Sequence, residues 1–225
     1  MTHQKAFIIT ISGDLGSGKS VLAERLATEF QADRYSTGHA QRKLASELGI
    51  TTLELNQRAE TDHTIDDQID GVFKGLAQTQ KNLIVDSRMA FHFLPMSFRI
   101  KLEVAPEIAA DRISKDNTRV GEGDTSPNVI LQSILDRRSS EKERFLRYYD
   151  VDITANENYD LVINTHDAHP NDIEACAVAC INKWREDNDF HHYWMSPSVM
   201  DQNVYKNIAD GVIDDHAPLI PIDLI

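Results

Sequence analysis

Gly13-Asp14-Leu15-Gly16-Ser17-Gly18-Lys19-Ser20 reads G-x-x-x-x-G-K-S, and this stretch decides the fold. A phosphate-binding P-loop needs a strand before it and a helix after it. Both are legible. Upstream, Ala6-Phe7-Ile8-Ile9-Thr10-Ile11 is a short apolar run rich in β-branched residues, as suits a buried parallel strand. Downstream, Val21, Leu22, Leu26, Ala27 and Phe30 recur at helical spacing, so a helix opens at about Gly18. Backbone N–H groups in the loop and the positive end of the helix dipole then make an anion site. Lys19 is expected to reach the β- and γ-phosphates of a nucleoside triphosphate, and Ser20 to hold Mg²⁺ through its hydroxyl. Gly13, Asp14, Gly16, Ser17, Gly18, Lys19, Ser20 and Val21 are the expected donor-binding residues.

The rest of the chain alternates strands and helices. Gln31–Ser36 reads as a second strand, with Thr37-Gly38 opening a helix capped by Ser36 or Thr37. Residues 51–81 read as helical in two pieces. The second is capped by Thr61 or Asp62 and carries Ile65, Ile69, Val72, Phe73 and Leu76 as its apolar stripe. Asn82–Asp86, Arg99–Val104 and Tyr159–Asn164 are the third, fourth and fifth strands. Pro106 stands at a favoured first-turn position of a helix running to about Ser114. Lys115–Pro127 is polar and glycine-bearing, a mobile loop by composition. Asn128 to about Tyr149 is helical and dense in charge, and Ile173, Ala177, Val178, Ile181 and Trp184 line a last long helix. The pattern predicts an α/β fold: five parallel strands with helices on both faces.

The chain has 225 residues and 41% hydrophobic content, enough for one α/β domain with insertions or a small appendix. No apolar run approaches the roughly 18 residues of a membrane span, and no secretory segment opens the chain. Two cysteines give no disulfide framework, and the expected location is cytoplasmic. The net charge of −13 argues against nucleic acid as the main partner. A small phosphorylated ligand needs only a local cluster of cations.

In an open parallel sheet, ligands bind beyond the C-terminal ends of the strands. Asp86 ends the third strand near the P-loop, where a carboxylate can hold Mg²⁺ directly or through water. Arg42, Arg88, Arg112, Arg137, Arg138, Arg144 and Arg147 follow at helix and loop positions. Guanidinium groups bind phosphate oxygens bidentately and stay charged, which suits an anionic phosphoryl-transfer transition state. Arginines on a lid would also exclude water from the triphosphate.

The sequence resembles the nucleoside monophosphate kinases, most of all the shorter cytidylate-kinase-like family. The likeness rests on the P-loop with Ile9–Ser12 before it, Ser36-Thr37-Gly38 with Arg42, and Val85-Asp86-Ser87-Arg88. It continues through Asp111-Arg112-Ile113, then Arg137-Arg138 with Glu141, Arg144 and Tyr148, then Asp150-Val151-Asp152-Ile153 and Tyr159–Thr165. It spans about Phe7 to Trp184. The resemblance implies a P-loop NTPase-type three-layer fold and phosphotransfer from Mg²⁺-ATP to a nucleoside monophosphate, CMP or dCMP first. It further implies that Thr37, Gly38, Arg42, Asp86 and Arg88 bind the acceptor and that Arg112 lies near the donor adenine. Lys19, Arg137, Arg138 and Arg144 would stabilise the transferring phosphoryl group. Residues 1–185 would form the kinase domain, with an acceptor-binding insertion at about 51–81 and a lid at about 115–138. Relatives commonly carry Glu-Gly-Arg at the end of the third strand. Here the residues are Asp86-Ser87-Arg88, followed by a bulkier Met89-Ala90-Phe91-His92-Phe93. A P-loop kinase of another small metabolite and a non-catalytic nucleotide-binding module are the alternatives. The partners expected are small-molecule nucleotides, with no nucleic acid or membrane, in a monomer or homodimer.

Two weaker signals remain. Cys176 and Cys180, near several histidines, could in principle bind zinc, but small core residues are the better reading. Residues 186–225 lie beyond the kinase pattern. Asp210-Gly211 and Asp215-His216 are faintly similar to ParB-like segments, and the plainer reading is an extension packed on the core or on a second subunit.

Overall fold

The computed structural model describes residues 6–59, 71–116, 126–186, 193–195 and 220–221. The elements run β1 (Ile8–Gly13), α1 (Lys19–Glu29), β2 (Asp33–Ser36), α2 (Thr37–Glu47), α3 (Thr52–Ala59) and α4 (71–76). They continue with β3 (Leu83–Asp86), α5 (Ala90–Phe93), β4 (Phe98–Glu103), α6 (Pro106–Ser114), α7 (Pro127–Tyr149), β5 (Leu161–Asn164), α8 (Pro170–Glu186), β6 (Tyr193–Met195) and β7 (Ile220–Pro221).

The strand order is β2-β3-β1-β4-β5-β6-β7. The first five pair in parallel, as the sequence pattern predicts, and β1 lies between β3 and β4. Two short strands that were not expected extend this core: β6 joins β5 in parallel and β7 joins β6 antiparallel. Among the described residues the sheet therefore has the five expected parallel strands and two more, and this last pair comes from the stretch after α8.

Side-chain alternation sorts the core into two layers. Ile9, Ile11, Ile84, Ile100, Leu102, Leu161 and Ile163 face one side and pack on Leu22 and Leu26 of α1 and on Ile173, Ala177 and Ile181 of α8. Cys176 and Cys180 are buried in that layer, and burial pushes the Cys176 thiol up, so both behave as small core residues. On the other side, Leu83 and Val85 meet Phe73, Ala90 and Leu94, while Val162 meets Phe145, Tyr159, Met89 and Phe91. Leu55 and Ala59 of α3 bury against Ala45 of α2. Leu44 of α2 and Ile50 pack against the same small cluster. The expected cap at Thr61 or Asp62, with Ile65 and Ile69, lies outside the described residues, as do the central lid loop and the Asp210–His216 segment.

Pairing between β4 and β5 is reinforced where the strands begin. The Asp160 carboxylate accepts from the Arg99 backbone N–H at 2.8 Å and from Arg99 Nε and Nη2 at 3.0 and 2.6 Å. At the other end of the sheet, Gly13 approaches β4 very closely. A Cβ on Gly13 would lie 2.3 Å from the Leu102 carbonyl oxygen, and the residue has φ +135°. Gly18 also has positive φ, +94°, but its missing Cβ would point into open space.

Gly18→Ala should therefore lose only the strain of left-handed backbone, about 1–2 kcal/mol. Gly13→Ala adds a collision with a central strand that cannot retreat. Thermal unfolding should show the larger drop in Tm for Gly13→Ala, and equal drops would mean that the Leu102 carbonyl yields.

Candidate active site

The loop between β1 and α1 is held from within. The Asp14 carbonyl accepts from the Lys19 ammonium at 2.7 Å and from the Ser17 hydroxyl at 2.8 Å. α1 begins at Lys19 with Gly18 as its N-cap and no side-chain cap. Its first N–H groups are accordingly open to an anion. Burial, with Arg88 nearby, lowers the Lys19 pKa to about 7.

Asp86 is the junction between the loop and the two neighbouring strands. It pairs with Ile11 in register and is 5% exposed. Its Oδ2 accepts from Ser20 Oγ at 2.8 Å and from Ser36 Oγ at 3.3 Å. Its backbone carbonyl accepts from Thr37 Oγ1 at 3.4 Å. Ser36 is also the N-cap of α2, accepting from the His39 N–H at 3.3 Å. The starts of α1 and α2 thus meet at one carboxylate.

A buried ion cluster forms the facing wall. Glu141 of α7 is 4% exposed. Arg88 Nη1 donates to its Oε1 at 3.1 Å, and Arg88 Nε lies 2.7 Å from its Oε2. Arg137 Nε donates to Oε1 at 2.8 Å. Burial alone would raise the Glu141 pKa, but Arg88 and Arg137 hold it below the usual carboxylate range. Burial lowers the Arg88 pKa, although Glu141 opposes the shift. Arg144, one turn along the same helix and 4% exposed, lies over the Phe145 ring at 5.0 Å.

At the opposite end, Arg112 of α6 clips the P-loop to the segment after β5. Its Nη1 donates to Thr165 Oγ1 at 3.2 Å and to the Gly16 carbonyl at 3.4 Å. Its Nη2 donates to the Thr165 and His166 carbonyls. Thr165 is fully buried, and the Ser17 and Glu103 carbonyls both lie within hydrogen-bond distance of its single hydroxyl proton donor.

These walls enclose one cleft of about 690 Å³. Ala168, Pro170 and Arg112 line one end. Gly16 to Leu22 of the P-loop and α1 line the middle. Thr37, Gly38, Gln41, Arg42 and Thr52 line the other end, opposite Met89, Phe93 and Tyr149. Asp86, Arg88, Arg137, Glu141 and Arg144 complete the walls. The cleft is rich in cations, and its volume is that of a small-ligand site.

The model of the cytidylate kinase-like family matches residues 8–167. A cytidylate kinase of Sulfurisphaera tokodaii is 36% identical over 178 residues, which cover 78% of this chain and 95% of that protein. The cytidylate kinase of Natronomonas pharaonis is 34% identical over 184 residues, 81% of this chain and 93% of that one. The chain belongs to the cytidylate kinase-like family. As an enzyme it is a nucleoside monophosphate kinase. The fold agrees: a shikimate kinase from Acinetobacter baumannii, solved with shikimate, superposes with a TM-score of 0.56 at 16% identity, covering 82% of this chain and 97% of that one.

Most side chains singled out from the sequence meet in the cleft of this family member. Gly16, Ser17, Gly18, Lys19, Ser20, Val21, Thr37, Gly38, Arg42, Asp86, Arg88, Arg112, Arg137 and Arg144 all line it. Four residues stand elsewhere: Arg147 lines neither this cleft nor the next cavity, and its guanidinium lies over the Tyr148 ring. Gly13, Asp14 and Arg138 line a separate cavity of about 330 Å³, where Arg138 Nε lies 3.5 Å from Asp14 Oδ2. Asp14 still takes part through its carbonyl, which holds Lys19. Arg138 neighbours Arg137 in sequence, but successive helical residues point about 100° apart, so one can face the cleft while the other does not. Sequence reasoning did not single out Thr165, Gln41, Thr52, Phe93 or Tyr149 as site residues, and it treated Glu141 only as an arginine partner. Thr165 acts on Ser17 and Arg112, and Glu141 on Arg88, all distant in sequence, so the chain alone does not show these roles; only the Glu141 pairing with Arg137 has a local i,i+4 spacing. Among the described residues, no helix is long and apolar enough to cross a membrane.

The depressed Lys19 pKa has a consequence for stability. Below pH 7 the folded, empty protein carries a charge that burial disfavours. Between about pH 7 and the unfolded value of 10.5, the unfolded state binds more protons and stability rises with pH. Lys19→Met should therefore melt above the parent protein at pH 6.5, and the gap should narrow by pH 9.5. Phosphotransfer should be lost at both values. A Tm below the parent at pH 6.5 would show that the contact with the Asp14 carbonyl outweighs the buried charge.

Proposed function

We propose that the protein transfers the γ-phosphoryl group of Mg²⁺-ATP to CMP or dCMP, giving ADP and the corresponding diphosphate. One observation carries this reading. A single cleft of about 690 Å³ joins the Arg112 end to the Thr37–Arg42 end, with the P-loop between them. The names of the relatives, cytidylate kinases at 36% and 34% identity, put CMP first among acceptors.

In this reading Lys19 and the open N–H groups of α1 hold the β- and γ-phosphates. The flat guanidinium of Arg112, fixed by three carbonyls and a hydroxyl, borders the donor base. Arg42, Arg88 and the start of α2 at Thr37-Gly38 take the acceptor phosphate. Arg137 and Arg144 meet charge on the transferring group from the wall they already line. Arg138 joins them only after leaving Asp14. The Ser20 hydroxyl and the Asp86 carboxylate are hard oxygen donors 2.8 Å apart, a set that fits Mg²⁺. When bound, that ion neutralises charge on the phosphate oxygens.

No general base is required. A nucleoside monophosphate has a second pKa of about 6, so its phosphate is largely a dianion near neutrality. An acceptor phosphate oxygen forms the new P–O bond as the bond between the γ-phosphorus and the bridging oxygen breaks, and ADP departs with that oxygen. The net charge of −13 also disfavours polynucleotide acceptors.

The test is acceptor-dependent ADP formation from Mg²⁺-ATP against CMP, dCMP, UMP, AMP, GMP and dTMP. CMP or dCMP should give the highest kcat/KM, and Arg144→Ala should lower kcat by about 10²–10³-fold. ATP hydrolysis at the same rate with every acceptor would overturn the reading.

A further inference from the structure

The acceptor end of the cleft has a wall that the phosphate chemistry does not use. Phe93, on the single turn α5, and Tyr149, at the end of α7, both line it. Their rings meet edge to face, with centroids 5.5 Å apart at 88°. Neither ring is free to swing. Phe93 stacks on the fully buried Phe73 at 5.2 Å and 10°, and His92 meets it edge-on at 4.9 Å. Tyr149 contacts Phe145 at 6.2 Å and His92 at 5.8 Å. Three separate elements (α4, α5 and α7) therefore build a rigid aromatic corner in the cleft that Gln41, Arg42 and Thr52 also line.

An aromatic surface left partly open in a cleft otherwise lined by cations and hydroxyls needs an apolar, flat partner. The phosphates of both ligands are already accounted for by Lys19, Arg42 and Arg88. What remains of a nucleotide at this end is its base. We infer that the Phe93–Tyr149 corner is the stacking platform for the acceptor base and that it selects single-ring over two-ring bases. One ring offers a face on which any base can stack, a sequence-tolerant interaction. The perpendicular ring closes the side of that platform and limits the length of what lies on it. Polar recognition of the base edge then falls to Gln41 and Thr52 across the cleft. The inference rests on a nucleotide acceptor and goes beyond it by naming what sets the base.

Steady-state kinetics with CMP, UMP, AMP and GMP at saturating ATP test it, in the parent enzyme and in Phe93→Ala, Phe93→Leu and Tyr149→Leu. Phe93→Ala should raise the KM for the pyrimidine acceptor by roughly ten- to a hundredfold, the size of one lost base stack. The KM for ATP should move less than twofold. Tyr149→Leu, by opening the side of the platform, should shrink the pyrimidine-to-purine ratio of kcat/KM at least tenfold. Phe93→Leu keeps most of the volume that packs on Phe73 but removes the π-face, so it covers the case in which Phe93→Ala does not fold. A folded Phe93→Leu enzyme with parental KM and parental base preference would overturn the inference. So would equal rises in KM for CMP and ATP. If the parent enzyme turns over no nucleoside monophosphate at all, the functional reading fails together with the inference. Turnover of CMP by the parent with unaltered preference in all three variants overturns the inference alone.

Discussion

Four cations, Lys19, Arg88, Arg137 and Arg144, converge on one largely buried cleft, and like charges brought together out of water repel. The molecule has to hold this arrangement before any phosphate arrives. Glu141 supplies the counter-charge, binding Arg88 and Arg137 at once from a position 4% exposed. A lone ion here would be costly, but a carboxylate shared between two guanidinium groups offsets the charge of both, although the buried Arg88 Nε makes no hydrogen bond of its own. Because Arg88 follows β3 while Arg137 and Glu141 belong to α7, the cluster also ties α7 to the end of the sheet. Burial, with Arg88 nearby, lowers the pKa of Lys19 to about 7. The strain in this site is electrostatic, and a bound anion would relieve it.

The scaffold explains how such different segments reach one place. With β1 between β3 and β4, the C-terminal ends of three strands open side by side. Asp86 at the end of β3 then meets both Ser20 of α1 and Ser36 before α2. Arg112 and Thr165 fasten the same loop from the β5 side. The P-loop is held from both flanks, and little conformational freedom remains to be lost when a ligand binds.

Much of the fold was legible in the chain. Helix and strand periods located five parallel strands, and the proline at 106 marked the first turn of α6 where the helix begins. The weaker regions have physical causes. α5 is a single turn, too short to show a 3.6-residue period, so Met89–Phe93 read only as bulk. β6 and β7 are three and two residues long, below the length at which alternation can be seen. Neither carries a signal until a neighbouring strand completes its hydrogen bonds.

The site divides along the same line. By itself the sequence determined the P-loop, its lysine and serine, the strand-end aspartate and the stock of arginines. Each of these depends on residues adjacent in the chain or on one element's period. Only the tertiary structure decided which arginines face the cleft, that Glu141 neutralises two of them, and that Phe93 and Tyr149 share a corner. Helix rotation decides the first of these, and contacts more than fifty positions apart, Arg88 with Glu141 and Phe93 with Tyr149, decide the others; only the Arg137–Glu141 pair, four residues apart on α7, has a local spacing.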